Sequence, residues 1–115
     1  ALDTALADAS AMLTAMTGYL VSSQQNSREL YRVGLSSVPF LLAVGDLVIG
    51  WLLLEHAEIA YNALDGASGR DTDFYLGKIG AADFFARHVL PRLASDRTVV
   101  ERMELAPMEI PEAAF

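Results

Sequence analysis

The chain of 115 residues contains no cysteine, so it has neither a disulfide framework nor a thiolate site, a composition that fits a reducing compartment. Basic residues are scarce, eight against fifteen acidic ones, and the net charge is -7. No basic run occurs, which argues against nucleic-acid binding through phosphate neutralisation. Histidine is limited to His56 and His88, and neither belongs to a Glu-x-x-His pair of the kind metal-holding bundles use, so no metal site is expected. Strand-like alternation bounded by hairpin signals is missing throughout. Gly66 and Gly69 lie in a loop with no Gly-Lys-Ser/Thr after them, so no phosphate cradle is expected either. The opening ALDTALADAS has no positively charged region ahead of an apolar core, so no signal peptide is expected, and the expected location is cytoplasmic. It also lacks an initiator methionine and reads as a processed chain or a piece of a longer one.

Apolar residues, by contrast, make up 53% of the chain, too many for disorder and enough for the core of one small domain over residues 1–115. They concentrate between Val38 and Leu64, in VPFLLAVGDLVIGWLLLEHAEIAYNAL. Val38, Leu42, Gly45, Ile49, Leu52, Ile59 and Ala63 follow a helical four-three spacing, and Phe40, Leu47, Leu54 and Tyr61 form a second stripe. A helix apolar on nearly all sides is buried in protein or in lipid. Phe40 to Leu54 is about fifteen residues, short of the roughly twenty that cross a bilayer core. Asp46 in its middle would cost about 2.5 to 3.5 kcal/mol on insertion. A central helix packed by other helices is therefore favoured over a membrane span.

Leu2, Leu6, Ala9, Leu13, Met16 and Leu20 predict an amphipathic helix whose other face, Asp3, Thr4, Asp8, Ser10 and Thr14, meets solvent. SSQQNS ends it, and Asn26 with Glu29 has the form of a capping box opening a second helix near Ser27. Pro39 predicts a kink or short break near Ser36 to Pro39. DGASGRDTD, residues 65–73, is a loop, with Asp71 or Thr72 available to cap a third helix. In that helix Gly77, Gly80 and Ala81 would allow close approach to the central one, and Pro91 should kink or end it. ELAPMEIPEAAF reads as an extended tail. The fold class is all-α: an up-down bundle of three long, kinked helices that split into four or five, with that tail at the C-terminus.

Asp46 is the carboxylate with the most apolar neighbours and needs a partner, with Arg92 first and Arg87 second on the facing helix. No second positioned group or pocket marks a catalytic site. Two companion helices leave part of the central one uncovered, so Leu47, Trp51 and Leu54 are expected in an interface, with the rest of a parent protein or with a second copy in a homodimer.

The segments KIGAADFFARHVLPRL, residues 78–93, and VPFLLAVGDLVIGWLLLEHA, residues 38–57, resemble the C-terminal helical domain of bacterial acyl-CoA dehydrogenases. Lys78, Phe84, Phe85, His88, Leu90 and Pro91 match one family element, and Pro39, Phe40, Gly45, Gly50 and Trp51 another; Met103 and Leu105 echo a third. The resemblance implies a parent enzyme that oxidises an acyl-CoA thioester with FAD, its flavin site and catalytic glutamate lying in preceding domains. No residue here matches those. The chain is then an accessory domain without catalytic or cofactor-binding residues of its own. The alternatives are a stand-alone helical module that binds a partner helix or a fatty ligand, and a small membrane protein.

Overall fold

A computed structural model describes all of residues 1–115. Four helices carry the fold: α1 spans Leu2–Ser22, α2 Leu30–Ala63, α3 Arg70–His88 and α4 Arg92–Glu101. A single turn, α5 (Ala106–Glu109), and 3-10 turns at Ser27–Glu29, Leu64–Gly66 and Glu112–Ala114 complete a chain without strands. The all-α expectation holds, and the third expected helix divides into α3 and α4 at Pro91. The tail is not fully extended, since its two short turns interrupt it.

At 34 residues α2 is the spine. Its start is prepared by Asn26, whose Oδ1 accepts the Arg28 backbone N–H at 3.2 Å. The carboxylate of Glu29 turns to Arg32 instead of completing a capping box. No break occurs at Pro39: α2 continues through it, because packing of this half of α2 against α1 and α4 outweighs the roughly 3 kcal/mol that an interior proline costs. Neither Asp71 nor Thr72 caps α3. It begins at Arg70 after Gly69, whose φ of 57° lies in the region that favours glycine.

α1 packs along the first half of α2, and α3 along the second. α4 leaves the line of α3 at the Val89–Pro91 turn and lies over α1, where the Tyr19 hydroxyl donates to the Val100 carbonyl at 2.6 Å. The core sits at this three-helix junction. Met12, Ala43, Leu93 and Val100 are fully enclosed there, with Ala5, Ala9 and Leu90 around them.

Two helix faces differ from expectation. In α1 the covered residues are Ala5, Asp8, Ala9 and Met12, while Leu6, Leu13 and Leu20 point outward. α4 selects that side because the alanines let it approach. In α3 the helix meets α2 through Ala82 and its half-buried neighbours Ile79 and Ala86, and Gly77, Gly80 and Ala81 face outward. Close approach to α2 occurs at Gly50 alone among the helical glycines, where Leu90 fills the space of a missing side chain.

The result is a thin slab of 64 × 31 × 14 Å. Its radius of gyration is 19.7 Å, against about 13 Å for a compact domain of this length. Its accessible surface is 7851 Å², roughly 1,700 Å² more than a compact monomer of 12.4 kDa exposes. Only 12 residues are buried, so most of the apolar content lies on the surface.

Two glycine substitutions test this packing. Gly80→Ala, whose methyl meets nothing within 4 Å, is expected to raise stability by about 0.5 to 1 kcal/mol through helix propensity. Gly50→Ala gains the same term but drives its methyl to 3.0 Å from Leu90 Cδ2, which is enclosed, and a net loss of about 1 kcal/mol follows. Urea denaturation measures both. Equal stabilisation of the two variants would mean that Leu90 has room to move.

Candidate interaction surface

Polar chemistry is sparse and structural. Asp8, almost enclosed, accepts from Arg97 Nη1 at 3.2 Å, and Arg97 Nε donates to Glu101 at 2.9 Å. These contacts, Glu101's hydrogen bond first, hold the guanidinium further into its charged form. They tie α4 to α1. The expected pair of Asp46 with Arg92 does not form, and neither does the one with Arg87: no ion pair within 4 Å includes Asp46, and Arg87 binds Asp83 at 2.8 Å on an exposed turn of α3. The displacement of α4 at Pro91 is the reason. It brings Asp96 towards Asp46 along with Arg92, and the half-buried Asp46 looks towards a second carboxylate. Burial pushes the Asp96 carboxyl above the ordinary aspartate range, nearby Asp46 adds to the rise, and Arg92 partly opposes it.

No three His, Cys, Asp or Glu side chains come together. His56 and His88 are exposed, and His88 stacks on Phe84 with ring centres 4.6 Å apart. Ser36 Oγ is enclosed without a hydrogen-bond partner, so no base is bonded to it.

What the structure does assemble is apolar relief. Between α2 and α3, Trp51, Leu54, Ala57, Tyr61 and Ile79 line a groove of about 580 Å³ that also takes in Glu55 and Glu58. Trp51 is 50% exposed and Leu54 39%. Leu47 is half-buried against the core and lines a smaller, wholly apolar cleft with Leu2, Leu6, Val48 and Trp51. Of the three expected interface residues, two are therefore open and one is mostly used within the chain.

At 100° per residue, Val38, Leu41, Leu42, Gly45, Ile49 and Leu52 lie about 180° round α2 from Trp51, Leu54 and Tyr61. All six are exposed. The slab thus has an apolar surface on each side of its spine. By length and composition α2 with its flanking turns, Ser27–Gly66, could also cross a membrane.

Residues 1–111 match the family model described as acetyl-CoA dehydrogenase C-terminal like. The chain belongs to that family. Over 112 residues it is 52% identical to the broad-specificity linear acyl-CoA dehydrogenase FadE5 of Mycobacterium tuberculosis, covering 96% of this chain and 18% of the relative. Over 93 residues it is 34% identical to the 3-methylmercaptopropionyl-CoA dehydrogenase of Ruegeria pomeroyi, covering 81% of this chain and 15% of the relative. The domain therefore spans less than a fifth of either dehydrogenase. The resemblance carried by residues 38–57 and 78–93 agrees with this membership.

Neither of the two clefts beside Trp51 suits the diphosphate of a flavin. The cleft beside Leu47 offers no polar side chain to a diphosphate, and the groove beside Trp51 offers two carboxylates, which would repel one.

The carboxylates near the α2–α4 contact make a pH prediction. The folded chain holds the Asp96 proton to higher pH than the unfolded chain does, so ionising Asp96 costs stability, and stability falls as pH rises through the raised value. Asp96→Asn is expected to raise Tm at neutral pH and to lose that advantage at about pH 3, where the wild-type carboxyl is protonated in both states. A variant with the same Tm advantage at both pH values would refute this.

Proposed function

We propose that this chain is the C-terminal accessory domain of an FAD-dependent acyl-CoA dehydrogenase, a cytoplasmic enzyme whose catalytic core and flavin site lie in the rest of the polypeptide. Its part is to pack on that core. The observation that carries the reading is a thin domain with roughly 1,700 Å² of surplus surface, rich in exposed Leu, Ile, Phe and Trp, in a chain that covers 18% of a dehydrogenase relative.

The groove around Trp51, Leu54 and Tyr61 is the surface we assign to the catalytic core. Tryptophan and tyrosine supply large apolar area with a polar edge and are favoured at the centres of interfaces. Glu55 and Glu58 beside them suit a partner surface that brings lysine or arginine. The same two carboxylates make the groove a poor match for a fatty chain and for a second copy of itself.

Two measurements test the reading. The 115-residue chain alone is expected to be colourless when purified and unable to pass electrons from an acyl-CoA to a dye; a yellow, active preparation would overturn it. In the parent enzyme, Trp51→Glu combined with Leu54→Glu replaces two exposed side chains, so the domain's own fold is kept. The pair is expected to lower the Tm of the whole enzyme by several degrees, with susceptibility to protease appearing at the domain's edge. An unchanged Tm and digestion pattern would mean the groove faces solvent in the assembled enzyme.

A further inference from the structure

A third cleft has a different chemistry. Between the start of α1 and the corner where α3 passes into α4 lies a hollow of about 250 Å³ that shares no residue with the two clefts beside Trp51. Ala5, Ala86, Leu90 and Ala94 give it apolar walls, and Asp8 is the one carboxylate that lines it.

The Asp8 side chain is only 10% exposed, and its single hydrogen bond, from Arg97 Nη1, uses Oδ1. Oδ2 accepts nothing, although a carboxylate withdrawn from water costs free energy until its lone pairs are filled. Arg97 does not neutralise the site alone, because it also donates to Glu101: two carboxylates share one guanidinium.

The other polar groups of the hollow are acceptors too. Thr4 brings a hydroxyl oxygen. Ala86, in the last turn of α3, has a carbonyl that takes no backbone N–H, because Val89 and Leu90 both donate to Phe85. Pro91 has no N–H, and Arg92, Leu93 and Ala94 already donate to Val89, Leu90 and Pro91. The helix ends offset each other: the positive start of α1, with Asp3 beside it, is set against the negative end of α3. The charge of Asp8 is left to decide.

A carboxylate among apolar walls selects a cation on an aliphatic stem. A guanidinium prefers both oxygens of one carboxylate, and Oδ1 is already taken by Arg97. An ammonium turns its three donors to single acceptors on separate residues, and its methylene stem covers alanine walls well. This chain does not supply that group, since its one lysine, Lys78, lies over Phe74 in the α2–α3 hairpin. Leu2 and Leu6 of α1 line the cleft beside Trp51 while Thr4, Ala5 and Asp8 line this one, so a partner that covers the start of α1 reaches both.

We infer that the Asp8 hollow is a lysine-binding pocket, which receives one lysine side chain of the catalytic core and fixes where the domain sits on it. The inference rests on the reading of this chain as the accessory domain of a larger enzyme.

Amine acetylation of the native parent enzyme, followed residue by residue by mass spectrometry, tests it. In the wild type one lysine of the core is expected to be protected. Ala94→Leu fills the hollow from an exposed position and leaves the Asp8–Arg97 bond alone, and in this variant the protected lysine is expected to react several-fold faster. Asp8→Asn removes the charge, keeps an acceptor for Arg97, and is expected to free the same lysine. Lys78 lines a separate cleft between α2 and α3 and serves as the reference, with an unchanged rate in both variants. If no core lysine changes its rate in the Ala94→Leu enzyme, the inference fails; the accessory-domain reading still stands if Trp51→Glu with Leu54→Glu lowers the Tm. A rise spread over many core lysines would also overturn it, because the substitution would then have loosened the whole domain. Release of one lysine, together with an unchanged Tm of the Trp51–Leu54 variant, would keep the pocket and remove the Trp51 groove as the contact with the core.

Discussion

Everything in this domain follows from the mismatch between one helix and its companions. α2 has 34 residues, and α1 and α3 have 21 and 19. Each companion reaches along about half of the spine, on one flank of it. A cylinder with apolar residues around most of its circumference cannot be enclosed that way. The hydrophobic effect then closes the molecule only where three helices meet, at Met12, Ala43, Leu93 and Val100, and leaves apolar surface on both sides elsewhere. Exposed apolar surface on this scale marks an interaction site.

Much of the fold could be read from the sequence because its signals are local. The Asn26 cap, the loop around Gly69 and the stop at Pro91 depend on a few adjacent residues, and the structure keeps all three. Helix faces were harder. In α1 and α3 apolar and small residues cover more than half the circumference, so periodicity alone does not say which arc a neighbour will choose. Ala5, Ala9 and Met12 around Asp8 were the available clue, because small side chains on one arc permit the closest approach.

The ion pairs illustrate the same limit. Asp46 was the conspicuous acid because its sequence neighbours are apolar, yet burial is decided by neighbours in space. The residue that is nearly enclosed is Asp8, on a helix that looks polar on that side, and its partner Arg97 lies 89 positions away. Antiparallel register predicted Arg92 for Asp46, and that register is lost at the Val89–Pro91 turn. The exposure of Trp51 and Leu54, by contrast, could be read from volume alone: too much apolar bulk for the helices available to cover it.

Leu90 seated against Gly50 has a mechanical consequence. It joins the turn between α3 and α4 to a point near the middle of α2, where the three-helix half of the slab gives way to the two-helix half. The first half is braced by the Asp8–Arg97 and Tyr19–Val100 bonds. Beyond Gly50 only α2 and α3 remain side by side. Bending stiffness drops at that point, so the α2–α3 hairpin acts as a lever arm with Gly50 as its fulcrum. A force applied near the Leu64–Gly66 turn is delivered to the core along the continuous α2 and, from α3, through Phe85, Ala86 and Leu90.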